Sequence, residues 1–81
     1  MNTTVKGLGE RKKQIIQFIH VFRQQHTFAP TVREIGEGVN LASSSTVQNH
    51  ITWLVEQGYI ELEKTKPRTI RLTEKALSVA I

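Results

Sequence analysis

Between Leu41 and Gly58 the sequence reads LASSSTVQNHITWLVEQG, a run of hydroxyls that leads into two amides and a further hydroxyl. Ser43, Ser44, Ser45 and Thr46 come first, then Gln48, Asn49 and Thr52. No serine lies in a nucleophile-elbow context, and no paired His and carboxylate is present to activate one, so catalysis is not expected. What these residue types offer is hydrogen-bond recognition. Asn or Gln can be bidentate to adenine, and Ser or Thr can serve either base type, so the set suits the edges of base pairs.

Spacing decides whether the set can act together. At about 100° per residue on a helix, Val47, Ile51, Leu54 and Val55 gather on one face, while Ser45, Gln48, Asn49 and Thr52 occupy the far side. That outward face is polar but almost uncharged, whereas a merely solvated face is usually rich in Lys and Glu. Ser43 is the expected N-cap, and the free amides with the positive helix end offer a seat for a phosphate. Ser44 and Ser45 can then reach the backbone or a base edge.

Other elements must hold this helix in place. Ile15, Ile19 and Phe22 recur at i, i+4 and i+7, with Ile16 and Phe18 widening the stripe, and predict a first helix over about 10–26. Phe28, Ala29 and Pro30 break it, and Thr31 with Glu34 makes a Thr-x-x-Glu capping box for a short second helix over about 32–39 that buries Ile35 and Val39. Asn40 stands where a left-handed residue ends a helix, and the third helix follows over about 44–57, stopped by Gly58. YIELE and TIRL then alternate around KTKPR, predicting a two-stranded hairpin over about 59–72. Thr73 and Glu74 look like a fresh cap for a short helix or ordered tail over 73–81.

The expected fold is therefore mainly α with a small β-hairpin: a winged helix-turn-helix, three helices plus a two-stranded wing, in a single domain over residues 1–81. At the wing tip, Pro67 narrows the turn through its fixed φ and should hold Lys66 and Arg68 outward, with Lys64 beside them. These cations, with Arg33, Ser44 and Thr52, are the expected contacts to a phosphate backbone. Arg11, Lys12 and Lys13 form either a solvated helix turn or a further phosphate contact.

Composition sets the remaining bounds. The 81 residues carry eleven Lys and Arg against seven Asp and Glu, a formal net charge of +4, which favours an anionic partner. There is no cysteine, so disulfides and thiolate metal sites are excluded. His20, His26 and His50 are too scattered for ligand spacing, and neither a metal nor a cofactor is expected. No apolar run approaches the roughly 18 residues of a membrane span, and the start MNTTVKGLGERKK lacks the apolar segment of a signal peptide, so a cytoplasmic protein is expected.

The stretch PTVREIGEGVNLASSSTVQNHITWLVEQGYIELEKTKPRTIRL, in order and almost without gaps, resembles the DNA-binding domain of the LexA repressors of the Gram-positive type. The likeness extends over about residues 8–72. It implies a bacterial, nucleoid-associated winged helix-turn-helix that represses promoters of the SOS response to DNA damage by occupying palindromic operators in double-stranded DNA, with half-sites of the GAAC type. Ser43, Ser45, Thr46, Gln48 and Asn49 fall on that family's operator-contacting positions, and Lys66 and Arg68 fall in its wing. His50 also matches a family position, as a packing residue.

The sequence departs from the family pattern at Asn40 for Gly, Gly9 for a Ser or Thr cap, Ile51 for Leu, and Trp53 for a small residue facing away from the core. LexA repressors also carry a C-terminal self-cleaving domain with a Ser-Lys dyad, which supplies much of the dimer contact; nothing after Leu72 provides one. The chain is thus expected to meet a palindrome as two separately arriving copies, one per half-site. The alternative is a winged-helix interaction module that modulates a full-length repressor without binding DNA itself.

Overall fold

A computed structural model of the chain describes residues 8–80. Along them run α1 (Glu10–Gln25), α2 (Val32–Gly38), α3 (Ser44–Glu56), β1 (Ile60–Glu61), β2 (Arg71–Leu72) and α4 (Glu74–Ala80). The first three helices each end one residue before the expected limit, because His26, Val39 and Gln57 are C-caps with non-helical dihedrals. The expected tail is a fourth helix; its last residue, Ile81, lies outside the described residues, as do residues 1–7 of the expected domain.

α1 turns Ile15, Ile16 and Ile19 inward to full burial, and Leu8, just ahead of it, packs into the same core. Phe18 and Phe22 are only half-buried. Phe22 packs against His26 with centroids 4.1 Å apart and the rings tilted by 33°, and meets Phe28 edge-on at 5.8 Å, so the far end of α1 carries an aromatic cluster at the surface.

The start of α2 and the turn that joins it to α3 are built from local hydrogen bonds. Glu34 N donates to Thr31 Oγ1 at 3.1 Å while Thr31 N donates to Glu34 Oε1 at 2.9 Å, closing the capping box. α2 then ends in a Schellman motif: Asn40 takes a φ of 65°, and Leu41 N donates to Gly36 O at 2.8 Å. A Cβ at Gly36 would sit 3.0 Å from Val47 Cγ2, which is how closely α3 approaches α2. Ser43 starts α3 by accepting from Thr46 N at 3.3 Å, and Gly58, at φ 83°, ends it with Tyr59 N donating to Leu54 O at 2.8 Å. From α1, Arg11 Nη1 donates to the carbonyl of Val39, so one of the expected free cations instead satisfies a part-buried carbonyl at the end of α2.

The hairpin is shorter than YIELE and TIRL suggest. Only Ile60↔Leu72 and Glu61↔Arg71 pair, antiparallel. Beyond them the Thr69 hydroxyl takes the place of the ladder, accepting from Glu63 N at 2.8 Å and lying 3.0 Å from Glu63 O, so the chains diverge into the tip. Thr73 closes the other end: its hydroxyl donates to Gly58 O at 2.6 Å and accepts from Ala76 N at 3.4 Å, the cap expected for the last helix.

Val47, Ile51 and Leu54 of α3 meet Ile35, Ile60 and Ile70 in the core, all at most 5% exposed. Val55, expected on the same stripe, is 36% exposed, since it lies at the stripe's edge and opens toward the wing. Trp53 is not an outward residue: it is half-buried, stacks on Tyr59 at 6.2 Å, and lies under Lys12 Nζ at 5.0 Å. Tyr59 itself is fully buried, and its hydroxyl has no hydrogen-bond partner among the described residues. Tyr59→Phe is therefore expected to raise stability by up to about 1 kcal/mol, because the ring contacts survive and an unsatisfied group is removed. Urea denaturation of both proteins checks this; a loss of about 1 kcal/mol would instead reveal a partner for the hydroxyl.

Candidate nucleic-acid interface

The outward face of α3 carries Ser44, Ser45, Gln48, Asn49 and Thr52, all exposed. Thr46 is half-buried, and the oxygen of Ser43 is engaged in the cap, which leaves its hydroxyl proton free to donate outward. No charged side chain interrupts this face between Ser43 and Val55; His50, at its margin, is half-buried. Burial first, then the nearby Lys12 and Arg11 charges, pushes His50 below the ordinary value of 6.5, so the ring is neutral at pH 7. Charging it becomes a cost to the fold as the pH falls through 6.5.

Across from α3 stands the wing. Between them lies a groove of about 540 Å³, with Gln48, Thr52 and Val55 on the helix side and Lys64, Lys66 and Arg68 on the wing side. Leu62, Ile51, Ile70 and Pro30 line its apolar floor. Lys64 and Lys66 are exposed and, among the described residues, their ammonium groups have no ion-pair partner. The structure thus brings two of the expected α3 residues together with the three wing cations, while Ser43, Ser44, Ser45, Thr46 and Asn49 lie along α3 outside the groove lining. Arg33 is apart from both, on the exposed face of α2, 3.5 Å from Glu37 one turn on. Such an exposed i,i+4 pair is weak and leaves the guanidinium accessible.

Arg68 departs from expectation. It does not project outward with Lys66; its guanidinium folds back onto α2, with Nη1 3.0 Å from Glu34 Oε1 and Nη2 3.1 Å from Glu34 Oε2. The Arg68 hydrogen bonds, followed by the Thr31 backbone N–H, hold the Glu34 carboxyl below its ordinary pKa of 4.5. Because that pKa is lowered, the stabilisation is complete above 4.5 and is lost only as the pH falls through the lower folded value. Sequence reasoning missed Glu34 as a partner of the wing, and Val55 and Leu62 as groove residues. Val55 left one signal: an apolar residue one turn after the outward-facing Thr52.

A short α2, a tight turn, an α3 with a polar uncharged outer face and a hairpin rimmed with lysines define a winged helix-turn-helix of the DNA-binding class. The chain belongs to the LexA DNA-binding-domain family, whose model, described as LexA DNA binding domain, matches residues 5–69. It is similar to the LexA repressor of Bacillus mycoides (strain KBAB4), 48% identical over 68 residues that cover 84% of this chain and 33% of that protein. It is also similar to the LexA repressor of Staphylococcus epidermidis (strain ATCC 35984), 44% identical over 73 residues, 90% of this chain and 35% of the relative. The chain spans about a third of the length of the curated relatives it matches. The region they share is a DNA-binding domain rather than a catalytic one. Among the described residues no helix is long and apolar enough to cross a membrane.

Proposed function

We propose that the chain acts as a sequence-specific repressor that recognises LexA-type operators of the DNA-damage response. The observation that carries this reading is the uncharged amide and hydroxyl face of α3 next to unpaired wing lysines across an open groove. In this reading α3 enters the major groove, and Ser43, Ser45, Thr46, Gln48 and Asn49 face base edges, where paired amide hydrogen bonds discriminate. Ser44, Thr52, Arg33, Lys64 and Lys66 contact the phosphate backbone on either side and set register without reading sequence. A palindromic operator takes two copies, one on each half-site, in the bacterial cytoplasm.

Selection of bound duplexes from a random double-stranded library is the direct test. It should return one preferred half-site with affinity that falls steeply with salt, since phosphate contacts release counterions. Asn49→Ala or Gln48→Ala should then cost about 1–3 kcal/mol at one operator position and leave nonspecific binding nearly intact. If both variants keep the wild-type base profile, specificity lies elsewhere on the surface. Recovery of no duplex, combined with capture of a full-length repressor, would favour an interaction module instead.

A further inference from the structure

One side chain ties the tip of the wing to the start of α2. Arg68 makes the two-pronged contact with Glu34 already described, and its Nη1 also donates to Ala29 O at 3.0 Å. The guanidinium carbon lies 4.6 Å from the centroid of the Phe28 ring. Its backbone φ is 58°, a left-handed conformation that costs an L-residue energy and persists where surrounding contacts offset that cost. Glu34 Oε1 meanwhile accepts from Thr31 N at 2.9 Å, so one carboxylate both caps α2 and holds the wing.

The hairpin needs such a tether. Two ladder pairs alone make a marginal ribbon, and the turn bonds from Thr69 and Lys66 fix its tip internally without fixing its angle to the helices. A bidentate guanidinium–carboxylate fork sets orientation as well as distance, which a lysine ammonium cannot do. Lys66 stands two residues before Arg68 on the same turn and lines the same groove as Gln48 and Thr52, so the backbone that carries it is held by the fork.

We propose that Arg68 is a positioning residue: through Glu34, Ala29 and Phe28 it holds the wing at the distance from α3 at which Lys66 meets a DNA phosphate, and it is not itself a phosphate ligand. This rests on the DNA-binding reading above. Preorganisation is the source of its effect, because an untethered wing must be ordered at the expense of binding.

Glu34→Gln is the test, since glutamine also serves at this position of a capping box and α2 keeps its start. The substitution raises the formal charge by one from +4, which by itself favours DNA. If Arg68 positions the wing, Glu34→Gln should nevertheless weaken binding to a fluorescein-labelled random-sequence duplex by about fivefold in about 100 mM salt. In a Lys66→Ala background the same change should matter by less than about twofold, because the fork acts through that lysine. Arg68→Lys, which keeps the charge and loses the fork, should reproduce the loss. A Glu34→Gln protein that binds more tightly would overturn the proposal by showing Arg68 released to contact phosphate, and unchanged binding would overturn it too. Backbone amide heteronuclear NOEs of the free proteins judge the tether without DNA: values for Lys64, Thr65, Lys66 and Arg68 should fall in Glu34→Gln while those of α2 hold, and unchanged values would reject the positioning role. A wild-type chain without salt-dependent duplex affinity would overturn the DNA-binding reading, and with it the purpose assigned to the tether, while the NOE result decides by itself whether Arg68 holds the wing.

Discussion

Ile51→Ala is expected to cost the fold about 2–5 kcal/mol, the range for emptying a fully packed aliphatic site. Ile51 has no exposed surface and sits in the middle of α3, where the helix meets the core. An 81-residue chain has about 4–12 kcal/mol of total stability at 0.05–0.15 kcal/mol per residue, so this one truncation removes a large share. Urea denaturation should show a lower midpoint at an unchanged slope. Asn49→Ala, two positions away on the exposed side, should by contrast stay within about 0.5 kcal/mol of wild type. The pair separates the two faces of one helix: the inner face holds the fold, and the outer face contributes little to it. A cost below about 1 kcal/mol at Ile51 would show that α3 is not packed in solution as described.

Fusing a dimerisation element after Ile81 is expected to tighten binding to a palindromic duplex by about a hundredfold while barely changing affinity for a single half-site. With each copy holding a half-site at about 10 μM, a tether that supplies an effective concentration of about 1 mM makes the second contact intramolecular and gives that factor. Titration of both duplexes with fused and unfused proteins at one fixed salt concentration measures it. The expectation requires that the free chain be largely monomeric. An unfused chain that sediments as a dimer and already binds the palindrome at nanomolar concentration would overturn it. Trp53, stacked on Tyr59 and covered by Lys12, is a poor place to look for a self-association surface in that event. Leu77 of α4 and Val21 of α1, at 36% and 46% exposure, are better ones.

What the sequence alone determined was whatever depends on neighbours a few residues apart. The Thr31–Glu34 capping box, the Ser43 cap, the left-handed Asn40, the Gly58 stop and the Thr73 cap all involve partners within six positions or a single φ, and each is legible as a residue type at a fixed offset. The same holds for the inward stripe of Val47, Ile51 and Leu54, because helical periodicity is local geometry. Tertiary structure decided which charges are free and which are taken. Lys66 and Arg68 are alike in the sequence, two cations flanking Pro67, yet one is unpaired and the other is joined to Glu34, 34 positions earlier. Arg11 and Lys12 likewise find Val39 and Trp53 on other elements. Trp53 and Val55 exchanged their expected surroundings for the same reason. A periodic pattern gives a side chain its direction from its own helix axis, but its burial and its partner depend on the angle at which α1, the wing and α4 pack against that helix, and that angle comes only from contacts distant in the chain.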